Sequence, residues 1–236
     1  GQKVATWMGD TALKITQQLG RSVAHVGLLH PPETSPEYDA MAEVYQSLGF
    51  TRRHSERQLA IDIPEHPAAA LFPPGLSAAV WQDYAIPEKH IDDVMRLLTV
   101  ASADADTGTL STEPIVWSRQ RLEEAHQRLR SRRGHTLLVA LIDDAGGIVA
   151  LTELARHEAA DPEVCEWTLT VTDRDHRRQG LAQLAKLTAL REVNRAWPQV
   201  RRCYCSVAAG DAAMNALYAR LGAREISQSS AWELHL

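Results

Sequence analysis

The stretch that decides the fold is residues 168–182, which read TLTVTDRDHRRQGLA. Alternating residues predict the end of a strand, a short basic loop follows, and a helix is expected to begin at Gly180. The first amides of a helix are unpaired and carry partial positive charge, so they can cradle an anion. Gly180 permits close approach because it has no Cβ, and Ala182 keeps the next turn shallow. Since Arg177 and Arg178 add formal charge, the stretch predicts a pyrophosphate site.

The loop has the form Arg-x-x-Gly-x-Ala. It is neither the Gly-x-x-x-x-Gly-Lys-Ser/Thr loop of nucleotide triphosphatases nor the Gly-x-Gly-x-x-Gly turn of dinucleotide-binding folds. Alone it is a modest signal. The predicted strand before it, and the predicted helix, strand and helix after it, make it a strong one.

The elements around this motif follow from hydrophobic spacing and turn residues. We predict strands over 77–84, 135–143, 148–156, 166–171, 202–207 and 232–236, and helices over 88–100, 118–132, 180–197 and 211–221. The order β-α-α-β-β-β-α-β-α-β predicts an α+β (mixed α/β) fold, with one central mixed sheet flanked by helices.

An internal repeat extends the pattern toward the N-terminus. YQSLGF at 45–50 matches YARLGA at 218–223, and helix 5–19 and strand 24–29 then correspond to 182–197 and 202–207. Residues 1–62 are therefore predicted to be an incomplete or degenerate half of the unit whose full copy is 76–236. Either the missing half lies upstream or another segment completes it. Residues 63–75 hold four of the eleven prolines and are predicted to be an extended linker.

Composition excludes several classes of protein. The chain has 236 residues and a formal charge of −5 at pH 7, which disfavours a nucleic-acid binder with a dominant basic face. No apolar run is long enough to span a membrane. The three cysteines, Cys165, Cys203 and Cys205, are expected to be reduced thiols of a cytoplasmic protein. No His or Cys spacing indicates a metal site.

In the loop motif at 168–182 and in the order of the predicted elements around it, the sequence resembles the GNAT superfamily of acyl-CoA-dependent N-acyltransferases. Residues 176–182 are similar to its acyl-CoA pyrophosphate loop, and residues 211–222 to its late helix. The resemblance covers 76–236 as a whole domain and 1–62 as a half. It is greatest to tandem two-domain members, of which mycothiol synthases are one kind. Asp211 and Ala223 depart from the Asn and the aromatic residue that are common at these positions.

The resemblance implies transfer of an acetyl or other acyl group from acyl-CoA to a primary amine of a small molecule. The amine would attack directly in a ternary complex, because no activated nucleophile is visible. Tyr218 matches the position of the thiol-side general acid. Glu166 and Glu153 are alternative candidates for the base, since a carboxylate with a raised pKa could take the amine proton. The site residues expected to contact the acyl-CoA are Thr170, Val171, Arg177, Arg178, Gln179, Gly180, Leu181, Ala182, Lys186, Asp211 and Met214.

The acceptor is expected to contact the loop between the first two helices of the full domain. Its candidate residues are Asp104, Asp106, Glu113 and Trp117, because acidic groups suit a cationic amine and an indole can stack on it. Lys3 stands at the position that matches Gly180, so the half-unit is not expected to bind CoA.

Other functions stay open at this stage. The chain could be a tailoring or resistance acyltransferase that acts on an antibiotic or amino sugar, or a non-catalytic acyl-CoA-binding regulatory module. A third alternative is a tandem protein whose half-unit mediates dimerisation, so that a monomer and a homodimer are both open. No nucleic-acid or membrane partner is expected.

Overall fold

A computed structural model describes residues 2–33 and 35–236. Gly1 and Thr34, which fall within the predicted half-unit, lie outside the described residues. The described part contains these helices and strands, in chain order: α1 (Gln2–Gln18), β1 (Val23–His30), α2 (Pro36–Ser47), β2 (Thr51–Asp62), β3 (Leu76–Gln82), α3 (Glu88–Ala103), α4 (Arg119–Ser131), β4 (Gly134–Asp143), β5 (Ile148–His157), β6 (Val164–Thr172), α5 (Leu181–Ala196), β7 (Arg202–Ala208), α6 (Ala212–Arg220) and β8 (Arg224–His235).

Most predicted elements are confirmed to within three residues at each end, and the predicted mixed α/β class is correct. The last strand is wrong: β8 begins at Arg224, eight residues before the predicted start at Trp232. Its first half is polar and only partly buried, so it lacks the apolar alternation that marks a strand. The sequence also does not predict β2. Residues 51–58 read TRRHSERQ and likewise lack apolar alternation.

The described chain groups into two compact units. We call the residues up to Leu59, with Asp106–Glu113 and Ser206–Leu236, the first unit. Ala60–Ala105 and Pro114–Cys205 form the second unit. The sequence analysis divides the chain differently, into a half-unit at 1–62 and a full domain at 76–236. That division is based on the internal repeat and not on spatial contacts, and it stays a prediction. Residues 63–75 contain neither helix nor strand.

In the first unit β1 pairs antiparallel with β8, from Val23 opposite His235 to His30 opposite Gln228. The position that matches Gly180 is Lys3, which lies inside α1 rather than at a helix cap. No described helix of the chain is long and apolar enough to cross a membrane.

The second unit is built on a mixed sheet. β3, β4, β5 and β6 pair antiparallel in sequence order, and β6 pairs parallel with β7. Helix α3 packs on β5 and β6, α4 packs on β4, and α5 packs on β4 and β5. One core cluster joins α3 and α4 to the sheet through Val94, Leu97, Leu122 and Leu151. A smaller cluster joins the first turns of α5, through Leu181 and Ala185, to β4 and β5.

Candidate active site

The N-terminus of α5 has the backbone that the motif predicts. Arg178 and Gly180 have φ values of 63° and 77°, and Gly180 is the N-cap residue with no side-chain hydrogen bond to cap the helix. A Cβ added at Gly180 would meet no atom within 4 Å, so the space above it is open. The first amides of α5 therefore face an open cradle whose size and partial charge suit a phosphate oxygen.

Two arginines of this loop are already engaged by an acid. Arg174 Nε donates to Asp104 at 2.9 Å, and the Arg177 guanidinium also pairs with the Asp104 carboxylate. Hydrogen bonds from both arginines hold the pKa of Asp104 well below its usual range. The expectation that Asp104 contacts a cationic acceptor does not fit this geometry, because both of its oxygens are paired with the loop.

β6 carries a bulge at the centre of the second unit. The β5–β6 register passes from Leu154 opposite Trp167 to Glu153 opposite Leu169, so Thr168 is the extra residue. A bulge bends its strand and leaves the extra residue's backbone out of the ladder. Thr168 can therefore turn a polar backbone group toward a reacting carbonyl, which a regular strand would not allow.

Glu153 lies against this bulge. Its side chain accepts a hydrogen bond from Thr168 Oγ1 at 2.6 Å, and the Tyr84 hydroxyl is close enough to interact with the same carboxylate. Only 8% of the residue is exposed, and this burial raises the pKa of Glu153, although the interactions with Thr168 and Tyr84 lower it in part. A carboxylate whose pKa is raised is a stronger base than an ordinary glutamate, so it is suited to take a proton from an amine.

Glu166, the alternative base, lies two residues before the bulge and is exposed. Within the residues that the structure describes, its side chain has no hydrogen-bond partner. The geometry thus distinguishes the two carboxylates that the sequence leaves equal, and it favours Glu153.

Lys186 does not fit direct contact with a cofactor. The residue is fully buried, and its Nζ lies 3.8 Å from the centroid of the Trp167 ring. Burial lowers the pKa of Lys186 to about 7. The Trp167 indole donates to Thr152 Oγ1 at 2.7 Å, and that oxygen also lies 2.7 Å from Thr170 Oγ1. Lys186 therefore supports β6 from within the core.

The other predicted site residues are divided between the units. Val171 is buried in a core cluster of the second unit, and Trp117 packs against that cluster. The residues that belong to the first unit are Tyr218, Asp211, Met214, Asp106 and Glu113. Asp211 caps α6 by accepting from the Met214 amide at 2.9 Å, and Tyr218 is 4% exposed.

Tyr84 is the residue at this site that the sequence does not single out. The pattern predicts it as the last residue of a strand, but β3 ends at Gln82 and Tyr84 lies in a turn with a φ of 58°. The available signal is the polar Asp83 followed by Pro87, a composition typical of turns.

Comparison with known proteins now adds a direct observation. Residues 104–223, just over half of the chain, match the acetyltransferase (GNAT) family. The chain belongs to the GNAT acetyltransferase family. This family consists of acyl-CoA-dependent N-acyltransferases, in agreement with the resemblance at residues 176–182. No curated protein matches the sequence.

Solved structures share the GNAT fold with this chain. A tandem GNAT protein from the clavulanic acid biosynthesis pathway is 20% identical with a TM-score of 0.72, over 94% of this chain and 66% of its own. A GCN5-related N-acetyltransferase from Kribbella flavida is 20% identical with a TM-score of 0.64, over 99% and 76%. One from Sphaerobacter thermophilus is 15% identical with a TM-score of 0.68, over 100% and 69%.

The chain spans just under two thirds of the tandem protein's length. At these identities the likeness concerns the fold. The fold includes a tandem arrangement in at least one relative, which agrees with the internal repeat. Among the described residues, no group of three His, Cys, Asp or Glu side chains is arranged to hold a metal ion.

Proposed function

We propose that the chain transfers an acetyl or other acyl group from acyl-CoA to a primary amine of a small molecule, with Glu153 as the base. The observation that carries the proposal is the position of Glu153 at the Thr168 bulge. The uncapped N-terminus of α5 follows on the same strand-to-helix connection, within the same unit.

In the proposed reaction the first amides of α5 bind the pyrophosphate, and the β6 backbone from Thr168 to Val171 binds the pantetheine chain. The amine loses a proton to Glu153 and attacks the thioester carbonyl, which a backbone amide of β6 polarises. The thiolate leaves and takes a proton; Tyr218 stays the donor that the resemblance to the family predicts. No covalent enzyme intermediate is required, since the ternary complex brings both substrates together.

Calorimetry with acetyl-CoA tests the cradle. Gly180→Glu places bulk and negative charge where the phosphates would lie, so we expect a loss of affinity of roughly 100-fold or more. Gly146→Glu is the matched control, because Gly146 also has a positive φ (84°) and open space around it, but lies in the β4–β5 turn.

Release of CoA thiol in the presence of primary amines tests the chemistry. Binding that is lost only in Gly180→Glu, together with thiol release that needs Glu153, supports the proposal. Binding without turnover on any amine would instead favour a non-catalytic acyl-CoA-binding module, and no binding at all would overturn the proposal. Turnover on amino sugars would identify the tailoring or resistance alternative.

A further inference from the structure

A pocket of about 280 Å³ lies in the second unit, between α3 and α4. Its walls are Tyr84, Ile86, Ile91, Leu122 and His126, and Arg119 and Glu123 also line it. This volume lies just below the range of typical ligand pockets, roughly 300–1,000 Å³. The pocket therefore has room only for a small ligand, and its lining is mostly apolar.

Tyr84 connects this pocket to Glu153. Tyr84 lines the pocket, with its ring centroid 6.4 Å from that of His126, and its hydroxyl is close enough to the Glu153 carboxylate to interact with it. One side chain therefore belongs both to the pocket lining and to the surroundings of the carboxylate at the bulge.

The turn that places Tyr84 is strained and held from outside. Asp83 and Tyr84 both have positive φ values, 49° and 58°, which is costly for residues with a Cβ. The Asp83 carboxylate accepts from the Thr136 amide at 2.9 Å and contacts His135 Nδ1 at 3.2 Å, so it fixes the turn to β4. A strained backbone that neighbouring contacts hold in place is common at functional sites, so the strain here indicates that the position of the Tyr84 side chain matters for function.

We propose that this pocket binds the body of the acceptor amine and that Tyr84 is a catalytic residue that passes the amine's proton to Glu153. The inference rests on the proposed function and names its acceptor side. In the step, the ammonium gives a proton to Tyr84 Oη while the Tyr84 hydroxyl proton moves to the Glu153 carboxylate. The amine becomes neutral and can attack, Tyr84 is unchanged, and Glu153 holds the proton.

The lining selects the class of amine. Arg119, the arginine among the described lining residues, is already paired with Glu88 at 2.7 Å and with Asp92 at 3.2 Å, which makes it less available to an anionic substrate. The Glu123 carboxylate, which accepts from Gln127 Nε2 at 3.0 Å, is the lining group that attracts an ammonium instead. Apolar walls and two aromatic rings favour a flat or aliphatic body over a polyhydroxylated one. The structure thus assigns the pocket to an arylalkyl- or alkylamine rather than an amino sugar.

Steady-state kinetics with acetyl-CoA and 2-phenylethylamine, compared with glucosamine, test both parts. We expect turnover of 2-phenylethylamine, and Tyr84→Phe should lower its kcat by roughly 10- to 100-fold with little change in KM. The affinity for acetyl-CoA should not change. Tyr45→Phe is the control, since its hydroxyl contacts the Gly27 carbonyl of the first unit at 3.4 Å.

The pH profile separates a proton path from a structural role. Loss of the relay should shift the pH dependence of kcat/KM in Tyr84→Phe, whereas a loss of packing would lower the plateau without moving it. The charged or titratable groups near Tyr84 are Glu153 on β5 and His126 and Arg128 on α4.

Glu123→Lys tests the pocket without touching the proton path. It should raise the KM for 2-phenylethylamine by roughly 5- to 10-fold at constant kcat, and Glu124→Lys, outside the pocket lining, should not. Turnover of glucosamine but not 2-phenylethylamine, with Tyr84→Phe fully active, would overturn this inference and leave the proposed function standing. Acetyl-CoA binding that serves no amine, or no binding, would overturn both.

Discussion

Two buried glutamates, one in each unit, have opposite electrostatic character. Glu153 and Glu233 are 8% and 3% exposed. Burial raises the pKa of Glu153, whereas a hydrogen bond from the Ser111 amide, followed by one from His25, lowers the pKa of Glu233 to about 2. The comparison teaches that low exposure alone does not decide whether a carboxylate can act as a base, because its hydrogen-bond partners also set its pKa.

The partners explain the difference directly. The pKa of Glu153 is lowered only by interactions with two neutral hydroxyls, those of Thr168 and Tyr84, and these do not outweigh the loss of water. Glu233 accepts from the Ser111 amide and contacts His25 at 2.9 Å and His235 at 2.8 Å. Glu153 is thus poised to take a proton, while Glu233 stays ionised and fixes the segment around Ser111 to β8.

The largest expected effect comes from Glu153→Gln. Gln keeps the shape and an acceptor for Thr168 but cannot take a proton, so kcat should fall by about 100-fold or more. The melting temperature should rise at pH 7, because the variant no longer holds a desolvated carboxylate. Glu166→Gln is the matched control, and a comparable loss of activity there would reverse the assignment of the base.

Glu233→Gln should have the opposite effect on stability. An amide accepts fewer hydrogen bonds than a carboxylate and leaves the partners of Glu233 unsatisfied, so the melting temperature should fall by several degrees. Hydrogen exchange at the Ser111 amide should speed up. A variant as stable as the wild type would show that Glu233 does not hold this segment.

The pH dependence of stability sharpens the same comparison. The raised pKa of Glu153 means that the folded state binds more protons than the unfolded state, so its contribution is lost as pH rises from about 4.5 through the folded value. The lowered pKa of Glu233 gives a contribution that is present above about 4.5 and lost as pH falls toward 2. Melting temperatures of the wild type and of each variant, measured over pH 2–8, test both contributions. The difference between wild type and Glu153→Gln should change with pH above about 4.5, and that between wild type and Glu233→Gln below about 4.5.

The part of the site formed by the N-terminus of α5 could be predicted from the sequence, because it depends on neighbouring residues only. Gly180 as the N-cap of a helix after a basic loop follows from its neighbours, and the structure has it there. The choice between Glu153 and Glu166 depends on the bulge at Thr168, which arises from strand pairing and leaves no local signature. For the same reason Lys186 looks like a surface cation at helical spacing, although it is buried against Trp167.

Glu233 is unreadable for a different reason. In AWELHL, residues 231–236, it has the alternation of a solvent-facing position on a strand. Two of its partners, Ser111 and His25, lie more than a hundred positions away in the sequence. Hydrogen bonds from residues so distant in sequence depend on the tertiary fold, so the local sequence pattern does not predict that Glu233 is buried and paired.

The smallest expected effect concerns a third carboxylate, Asp104, whose side chain is 26% exposed and paired with Arg174 and Arg177. It differs from both buried glutamates because water screens its ion pairs, and exposed pairs contribute only about 0–1 kcal/mol. Asp104→Asn should therefore tighten acetyl-CoA binding by only about 2- to 5-fold, since Arg177 no longer has to leave an internal anion before it meets a phosphate.

Asp175→Asn is the control. It removes a negative charge from the same loop, and among the described residues Asp175 has no arginine partner. If both variants tighten binding equally and the gain disappears in high salt, net charge and not the Asp104 pair controls the loop. If only Asp104→Asn does so, this carboxylate competes with the cofactor for the arginines of the cradle.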